Sequence, residues 1–585
     1  VLIDKGIKDS NWFIGAELNF AQNLLRFDDD QIALISHREN YHSVRISYKQ
    51  LNQFVKKAAN ALKCFGVEKG DRVAGYVSNI PEAVIAMLAA TSIGAVWSST
   101  SPDFGIDGVV DRFGQIEPKI LFATQTYYYN GKHIDNTEKI LEIIKKIPSI
   151  KKTILIDEYF NFEKVNENDV NYDKPKLKFY QLLNFTENDF EFVQSEFDHP
   201  VYIMYSSGTT GKPKCIVHGA GGTLLQHFKE HSLHTDLKRE DVITYFTTCG
   251  WMMWNWLVSS LQIGSTVVLI DGNPVYPNEE RLWKIIADEK ISVFGTSPKY
   301  LTLIEKTGLV PKENFILQSL KTILSTGSPL TDSNFHWVYK NVKEDLLLSS
   351  ISGGTDIISC FMLGCPVIPV YSGEIQTRGL GMKVEAWSDE GKYIVEGKGE
   401  LVCTAPFPSR PIYFWNDPEN SKYQSAYFDY FPGVWRHGDY IKISATGGVV
   451  VYGRSDVTLN PGGVRIGTAE IYKVVETMNK IADSLVVGKN VNDDVKVILF
   501  VVLKDKTILN NDLIQEIKNK IRKETTPRHV PSQIFQINEV PYTISGKKVE
   551  MAVKNILNGE TVDNREALAN PQSLDQFIAF LNHSI

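Results

Sequence analysis

Cysteine is scarce in this sequence, and the few cysteines do not form pairs. Among the 585 residues they stand at Cys64, Cys215, Cys249, Cys360, Cys365 and Cys403. No Cys-x-x-Cys pair occurs, and such scattered thiols are more typical of a reduced protein than of a disulfide framework or a zinc site. We therefore expect a cytoplasmic location.

Long apolar runs and blocks of basic residues are absent as well. The most apolar uncharged stretch, residues 83–97, is too short to cross a bilayer, and we predict a buried helix there whose first turn begins at Pro81. The net charge is -7, and the 62 basic residues are spread along the chain. We expect neither membrane insertion nor nucleic acid as a partner, so any anionic ligand has to be bound by local groups.

Short β-branched runs alternate with helical patterns over most of the chain. The predicted strands are residues 72–77, 119–124, 153–156 and 266–270. This alternation is typical of an α/β protein with mainly parallel sheets. The polar residues 161–178 are predicted to be a surface excursion. Because the chain opens in mid-pattern at Val1, we also expect an upstream segment.

The pattern changes after Asp456. A helix from Thr468, strands at 484–488 and 496–503 and a helix at 513–523 predict a small α+β domain. Two amphipathic patterns follow, with apolar residues at Val549, Val553, Ile556, Leu574, Phe577, Ile578 and Leu581. We therefore expect two domains, residues 1–455 and 456–585.

A loop rich in glycine, hydroxyl and lysine residues follows an apolar, strand-like run at residues 201–204. Glycines let successive backbone N–H groups converge on an anion, and the other residues add donors and positive charge. Pro213 follows the lysine, so the loop does not have the Walker A pattern, and a solvated turn is the alternative for the loop on its own. The candidate phosphate-binding residues are Ser206, Ser207, Gly208, Thr209, Thr210, Gly211 and Lys212.

Together with four later motifs, this loop resembles the phosphate-binding signature of the adenylate-forming superfamily. The later motifs, in the order of that family, are Gly354-Thr355-Asp356, Trp435 to Asp439, Gly453 to Asp456 with Gly463 to Arg465, and Pro541 to Lys547. Five motifs in a fixed order are a specific signal. The resemblance covers almost the whole chain and is closest to the short-chain acyl-CoA synthetases.

The resemblance implies a fold and an activity. The fold is a large N-terminal adenylate-forming domain with mainly parallel sheets, followed by a small, mobile α+β domain. The activity is the transfer of AMP from ATP to a carboxylate, after which the acyl group passes to a thiol. ATP, CoA and Mg²⁺ are therefore the expected co-substrates and cofactor, and the expected partners are small molecules.

The same resemblance implies roles for individual residues. Thr209, Asp356 and Lys547 are the expected catalytic residues, and Lys547 would hold carboxylate and phosphate oxygens. Asp356 would bind magnesium where the family usually has glutamate, so the shorter side chain could reach the metal through water. The expected nucleotide-binding residues beyond the loop are Gly327, Ser328, Pro329, Gly353, Gly354, Thr355, Asp439, Arg454 and Arg465. Asp456 would be the hinge, and Lys132 and Arg522 would contact CoA phosphates.

The acyl pocket is predicted from a departure from the acetyl-CoA synthetases. Gly353 stands where those enzymes have a tryptophan that caps the pocket, so we expect room for an acid larger than acetate, such as acetoacetate. The walls would come from Trp251, Met252, Met253 and Thr326. A donor to the distal ketone could be any of Trp251, Asn255, Thr326 or Ser352.

Other functions remain open from the sequence. The chain could ligate another short or branched acid, such as propionate, butyrate or a hydroxy acid. It could also be a nucleotide-binding regulator without catalysis, although Lys547, Asp439, Arg454 and Asp456 argue against that. A carrier-dependent adenylation domain is disfavoured because no carrier module is recognisable downstream.

Overall fold

The structure is a computed structural model of the chain. It describes residues 1–585 except 41–42, 158–173, 187–189, 207–211, 458, 460, 462–465, 492–493, 505–506, 545, 563–564, 566–567 and 581–585.

The strands up to residue 270 alternate with helices. They are β1 (Leu2–Ile3), β2 (Asn11–Trp12), β3 (Glu17–Leu18), β4 (Ile32–His37), β5 (Val44–Ser47), β6 (Arg72–Tyr76), β7 (Val96–Thr100), β8 (Ile120–Thr124), β9 (Thr126–Tyr129), β10 (Lys132–Asp135), β11 (Lys152–Ile156), β12 (Lys176–Lys178), β13 (Ser195–Glu196), β14 (Pro200–Ser206), β15 (Lys214–Gly219), β16 (Val242–Tyr245) and β17 (Thr266–Ile270).

The remaining strands complete the large sheets and form the smaller ones. They are β18 (Val293–Thr296), β19 (Thr322–Ser325), β20 (Leu347–Ser350), β21 (Ser352–Gly354), β22 (Ser359–Leu363), β23 (Thr377–Arg378), β24 (Val384–Trp387), β25 (Lys398–Cys403), β26 (Tyr413–Phe414), β27 (Trp435–Ile443), β28 (Val449–Arg454), β29 (Ile481–Val491), β30 (Asp494–Leu503) and β31 (Gln533–Gln536).

The α-helices are distributed along the whole chain. They are α1 (Phe20–Leu24), α2 (Tyr48–Cys64), α3 (Pro81–Ser92), α4 (Ile106–Ile116), α5 (Thr137–Lys146), α6 (Phe179–Leu182), α7 (Ala220–Lys229), α8 (Met252–Ser259), α9 (Arg281–Asp288), α10 (Pro298–Thr307), α11 (Pro311–Asn314), α12 (Asp332–Asn341), α13 (Ser421–Tyr427), α14 (Thr468–Val475), α15 (Asn511–Glu524), α16 (Glu550–Leu557) and α17 (Asp575–Ile578). A π-helix at Glu230–His234 continues α7.

Two large sheets form the body of the protein. One has the order β12-β11-β8-β6-β7-β14-β15-β26 and is parallel up to β14, and the other has the order β20-β19-β18-β16-β17-β4-β5 and is parallel up to β4. Mainly parallel sheets need helical crossovers, which cover both faces. The predicted α/β class with mainly parallel sheets is confirmed.

A helix that is buried on every side lies between these sheets. All residues of α3 are buried, and the helix contacts β7 of the first sheet and β4 of the second. A helix buried on every side needs such a position. Pro81 occupies its first turn, as predicted, but the helix ends at Ser92, and Val96 and Trp97 belong to β7. The single helix predicted for 83–97 is therefore wrong at its end, because Gly94 adopts a positive φ and turns the chain into a strand.

The other predicted elements of the body are confirmed within a residue or two. The strands expected at 72–77, 119–124, 153–156 and 266–270 correspond to β6, β8, β11 and β17. The surface excursion expected at 161–178 lies largely outside the described residues. Its last part is corrected, because Lys176–Lys178 pairs with β11 in parallel as the edge strand of the first sheet.

A four-stranded antiparallel sheet, β24-β25-β27-β28, follows the parallel sheets. An aromatic core anchors it, in which the rings of Tyr427 and Trp435 stack with centroids 3.8 Å apart. Asp439 on β27 faces Arg454 on β28 in register. This pairing brings two of the predicted nucleotide-binding residues together.

Residues after 457 form two hydrophobic cores of their own around a separate three-stranded sheet, β29-β30-β31. Helices α14 and α15 supply one core, and α16 and α17 supply the other. The predicted α+β composition of this region is confirmed. The helix from Thr468 begins at that residue, and the two expected strands are parts of the longer β29 and β30.

Candidate functional site

The site begins where two neighbouring parallel strands end. β19 and β20 pair in register up to Ser325 and Ser350, and the segments 326–329 and 352–356 leave the sheet side by side. Thr326 Oγ donates a hydrogen bond of 2.8 Å to the Ile351 carbonyl and joins the two segments. The carboxyl edge of a parallel sheet is the usual position of a ligand site.

Gly353 is packed against backbone, not against an open space. A Cβ built on Gly353 would lie 2.6 Å from Cys360 Cα and closer still to the Ser359 carbonyl oxygen. The expectation that a side chain at position 353 would point into an open acyl pocket is therefore wrong. The glycine is required because β21 and β22 approach each other too closely for any side chain.

The predicted acyl walls follow the carboxyl end of β16, in the same sheet. Met252 and Met253 are buried at the start of α8, and the Trp251 ring packs edge-on against Tyr245 at 5.8 Å. Tyr245 in turn interacts with Cys360, the residue that backs Gly353. Trp251 is thus connected to β22 through Tyr245, and its role as an acyl wall stays a prediction.

Asp356 stands in a 3₁₀ turn directly after β21. Tyr427 donates a hydrogen bond of 2.6 Å to its Oδ1. Burial alone would raise the pKa of this carboxyl, but His437, the Tyr427 hydrogen bond, Arg454 and Lys214 together hold it below its ordinary value. Asp356 is therefore ionised, and Tyr427 fixes one of its oxygens.

Asp439 and Arg454 form the electrostatic centre of the site. Arg454 Nη1 lies 3.7 Å from Asp439 Oδ1 and donates a hydrogen bond of 3.0 Å to the His437 carbonyl. Desolvation opposes the charge of Arg454, but Asp439, Asp456 and Asp356 outweigh it and raise its pKa further. Gly438 has a positive φ, and a Cβ there would lie 2.9 Å from Arg454 Nη2, so only glycine leaves room for the guanidinium.

Lys547 joins this centre from the C-terminal region of the chain. Its backbone N–H donates to Thr543 Oγ at 3.0 Å, and the Thr543 N–H donates to the Lys547 carbonyl at 2.8 Å, which closes a tight turn. Desolvation is the largest cause that lowers the pKa of Lys547. The cation of Arg454 lowers it further, while Asp439 and Asp356 oppose the shift. Although protein atoms surround its amine, Lys547 as a whole residue keeps an exposed surface.

Lys548 anchors the Lys547 turn, a role that its position in the sequence did not reveal. Its ammonium forms ion pairs with Glu476 and with Asp483 and lies 4.0 Å above the Tyr472 ring. Burial opposes its charge, but the two carboxylates outweigh burial and raise its pKa. Because Lys548 is held in this way, the adjacent Lys547 is directed toward the cleft.

Contacts between the body and the C-terminal region hold Lys547 at the site. Lys299 on α10 lies 3.3 Å above the Tyr542 ring, and Lys306 donates a hydrogen bond of 2.8 Å to the Ala482 carbonyl. Lys398 on β25 bonds Glu470 at 2.6 Å. The partners in these contacts stand far apart in the sequence, and apart from Tyr542 they match no motif there, so only the packing reveals the contacts.

The predicted hinge residue lies at the junction of the two regions. Asp456 stands in the 3₁₀ turn Ser455–Val457, and Arg454 Nη2 lies 3.4 Å from its Oδ2. Lys554 donates a hydrogen bond of 3.0 Å to its carbonyl. Ser455 Oγ donates to the buried Glu400 at 2.8 Å, which ties the turn to β25.

His218 is a site residue that the sequence reasoning missed. It is fully buried on β15 and donates from Nε2 to the Thr355 carbonyl at 2.9 Å, because a carbonyl can only accept. Burial lowers the pKa of His218 to about 3, so the ring is neutral. The residue holds the backbone beside Asp356 in place without adding charge.

Several predicted residues are described but not joined to this centre by the contacts above. Gly327 adopts a positive φ and is followed by exposed Ser328 and Pro329. Lys132 begins β10 and Arg522 lies in the last turn of α15, both exposed, and Arg522 contacts Asn519 at 3.5 Å. Ser206 ends β14 and Lys212 is exposed just before β15.

Part of the predicted phosphate loop lies outside the described residues. The loop residues concerned are Ser207, Gly208, Thr209, Thr210 and Gly211. Arg465, which was predicted to bind the nucleotide, also lies outside the described residues. The flanking strands β14 and β15 pair as an antiparallel hairpin, so the loop connects two strands of the first sheet.

The described part of the chain has no cluster of three or more His, Cys, Asp or Glu residues that could hold a metal ion. None of its helices is long and apolar enough to cross a membrane. All six cysteines are free thiols, as expected.

The arrangement suits a reaction in which negative charge moves between oxygen atoms. Two cations, Arg454 and Lys547, face two carboxylates, Asp439 and Asp356, in one cleft. Fixed charges of this kind stabilise a developing oxyanion without reorganisation. Trp251, Met252 and Met253, which follow the carboxyl end of β16, add apolar side chains at the same edge of the second sheet.

Comparison with known families agrees with this geometry. Residues 20–411 match the family described as AMP-binding enzyme, and residues 470–547 match the AMP-binding enzyme C-terminal domain.

Curated relatives match nearly the whole chain. An acetoacetyl-CoA synthetase of Gallus gallus is 50% identical over 98% of this chain and 87% of its own length. An acetoacetyl-coenzyme A synthetase of Rhizobium meliloti is 49% identical over 97% of this chain and 87% of its own length.

Solved structures share the fold. An acetoacetyl-CoA synthetase from Streptomyces lividans aligns with a TM-score of 0.92 at 39% identity, covering 99% of this chain and 89% of its own. An anthranilate CoA ligase in complex with anthranoyl-AMP aligns with a TM-score of 0.78 at 19% identity, covering 92% of this chain and 97% of its own, and so supports the fold alone.

The close approach of β21 and β22 predicts the effect of the smallest substitution at Gly353. We expect Gly353→Ala to lower the thermal unfolding midpoint and to cost about 1–3 kcal/mol, because the new methyl group overlaps the backbone of β22. The matched control is Gly354→Ala, whose new methyl would overlap no backbone atom and would meet the His437 ring at 3.3 Å and Asp356 Oδ2 at 3.5 Å. Equal midpoints for the two variants, measured by calorimetry, would contradict this account of Gly353.

Proposed function

Since this chain belongs to the AMP-binding enzyme family, we propose that it activates acetoacetate with ATP and transfers the acyl group to CoA. The products are acetoacetyl-CoA, AMP and pyrophosphate. The observation that supports this most is the nearly complete match to acetoacetyl-CoA synthetases at about 50% identity, together with the Asp439–Arg454–Lys547 centre.

The first half-reaction forms an acyl-adenylate. A carboxylate oxygen attacks the α-phosphorus of ATP, the bond to the β-phosphate oxygen breaks, and pyrophosphate leaves with that electron pair. Lys547 and Arg454 stabilise the negative charge on the carboxylate and α-phosphate oxygens. Asp439 accepts hydrogen bonds from the ribose hydroxyls, for which a carboxylate is suited.

The second half-reaction needs a different arrangement at the same cleft. The CoA thiolate attacks the acyl carbon, and AMP leaves with the electron pair of the broken carbon–oxygen bond. In this proposal the domain of residues 456–585 turns about Asp456 and withdraws Lys547 from the domain of residues 1–455. The two separate cores after residue 457 support such a division.

Magnesium fits the site as a phosphate-bound ion. Asp356 is ionised, and because Tyr427 holds Oδ1, Oδ2 is the oxygen left to bind the ion directly or through water. When bound, Mg²⁺ neutralises charge on the phosphate oxygens. The side chains then orient the substrate, with Tyr427 holding Asp356 and His218 holding Thr355.

The remaining ligand contacts are carried over from the resemblance. The loop of Ser206 to Lys212, with Thr209 as its catalytic member, would bind the departing pyrophosphate. Gly327 to Pro329 and Gly353 to Thr355 would hold the adenine, since they leave the same sheet edge side by side. Arg465 would contact the α-phosphate, and Lys132 and Arg522 would contact CoA. The free thiols support a cytoplasmic location.

The choice of acid is tested directly by a pyrophosphate-release screen over acids of two to six carbons, with and without CoA. We expect acetoacetate to give the highest kcat/KM, and we expect release to continue beyond one turnover only with CoA. A higher kcat/KM for butyrate or propionate would favour the second candidate, a ligase for another short acid. No release with any acid would contradict the enzyme assignment.

The position of Lys547 predicts that the two half-reactions separate on mutation. We expect Lys547→Ala to slow adenylate formation by roughly 10²–10³-fold, the scale for losing one charge that stabilises the transition state. Thioester formation from supplied acetoacetyl-adenylate should persist, because Lys547 leaves the cleft for that step. Rapid-quench assays of each half-reaction measure both, and an equal loss in a folded variant would contradict the assignment.

The lowered pKa of Lys547 predicts an alkaline limit for adenylation. Only the protonated amine stabilises oxyanions, so kcat/KM for ATP in acid-dependent pyrophosphate exchange should fall as the pH rises through a value below the ordinary lysine pKa of 10.5. Lys547→Arg should remove this fall, because arginine stays charged. An unchanged alkaline limb in the arginine variant would assign the titration to another group.

A further inference from the structure

A fully buried carboxylate lies behind the acyl walls and belongs to no motif discussed above. Glu230 has no exposed surface and opens the π-helix that continues α7. π-helical turns inside helices occur frequently at functional sites. The polar groups that face this carboxylate come from its own helix, from α8 and from β22, and they are Gln226, Lys229, Trp256, Ser359 and the Cys360 amide.

One oxygen of Glu230 holds the strand that backs Gly353. Oε1 accepts hydrogen bonds from Ser359 Oγ at 2.5 Å and from the Cys360 amide at 3.3 Å. These are the residues whose backbone fills the space next to Gly353. The position of β22, and with it the position of the paired strand β21 that contains Gly353, therefore depends on this oxygen.

The other oxygen holds the helix that carries the methionine wall. Trp256 on α8 donates its indole N–H to Oε2 at 2.8 Å. Trp256 is buried one turn after Met252 and Met253. One carboxylate thus joins both predicted walls of the acyl pocket.

A histidine one turn earlier supports the same backbone. Ile358 has a φ of 48°, a region that β-branched residues rarely adopt. His227 Nε2 donates to the Ile358 carbonyl at 2.6 Å, and its Nδ1 contacts Ser259 Oγ on α8 at 2.8 Å. His227 and Glu230 therefore hold a strained turn that lies between Asp356 and β22.

The electrostatics keep Glu230 ionised although it is buried. Desolvation would raise its pKa, but Lys229, His227 and the hydrogen bonds from Ser359 and Trp256 hold the pKa below its ordinary value. Burial lowers the pKa of His227, so that ring is neutral. A buried carboxylate with donors on both oxygens is a rigid joint, since neither oxygen can turn away without leaving a donor unpaired.

We propose that Glu230 is a positioning residue that sets acid selectivity, because it holds the β21/β22 pair and the helix α8, which carries Met252 and Met253, at a defined separation. This rests on the proposed function, since it concerns the acyl pocket of that reaction. Glu230 does not touch the substrate. It acts through Ser359 and Cys360 on one side and through Trp256 on the other.

The isosteric variant Glu230→Gln tests the proposal, because an amide has only one acceptor oxygen. Either its NH₂ faces the indole N–H, or it faces Ser359 and the Cys360 amide, so one wall always loses its acceptor. We expect the ratio of kcat/KM for acetoacetate to that for acetate or butyrate to change roughly 10- to 100-fold, mainly through the KM of the acid. The KM of ATP should change much less.

A second substitution distinguishes positioning from general damage. In Glu230→Gln/Trp256→Phe the indole donor is gone, so the amide oxygen can turn to Ser359 and Cys360. We expect this double variant to recover part of the wild-type acid ratio.

Glu82→Gln is the matched control, since Glu82 is an equally buried carboxylate paired with Arg38 at 2.8 Å. It should lose thermal stability without a change in acid ratio.

The outcomes decide the proposal separately from the proposed function. A folded Glu230→Gln with wild-type ratios, or with an equal loss for every acid, would overturn it. If Glu230→Gln does not fold, Ser359→Ala and Trp256→Phe each remove one donor, and unchanged ratios in both would overturn it as well. The wild-type acid profile tests the function itself. A wild type that prefers another acid rejects acetoacetate, whereas the Glu230 proposal still stands on a changed ratio.

Discussion

The balance of charge between Asp439, Arg454, Asp356 and Lys547 is the interaction on which the rest of the site depends. Arg454 keeps its charge because three carboxylates outweigh desolvation, and Asp356 stays ionised because His437, Tyr427 and nearby cations outweigh burial. In this balance Lys547 is the only member that comes from the C-terminal region. In the proposed function, movement of the C-terminal region removes this one charge and so separates the two half-reactions.

Rigidity of the surrounding backbone supports this charge balance. His218 holds Thr355, Tyr427 holds Asp356, and Glu230 with His227 holds the turn behind Gly353. His218 and His227 are neutral because burial lowers their pKa, so they add hydrogen bonds without adding charge to the site. In the proposal for Glu230, these polar groups shape the acyl pocket from behind without contacting the substrate.

Sequence patterns predicted the fold class well and the pocket less well. Alternating β-branched runs and helical patterns are local signals, so the strands β6, β8, β11 and β17 and the helix at Thr468 could be predicted from neighbouring residues. Gly353 was interpreted as the absence of a side chain in a pocket. The structure shows a glycine forced by the approach of Ser359 and Cys360, a strand contact that the residue type alone does not reveal.

The sequence by itself determined the order of the motifs and the α/β class, because these depend on residue type and short-range periodicity. Only the tertiary structure decided which groups meet. It placed Lys548 as the anchor of Lys547, Lys299 against Tyr542 across the two regions, and Glu230 between α8 and β22. Contacts between residues so far apart in the chain arise from packing, and packing leaves no local pattern in the sequence.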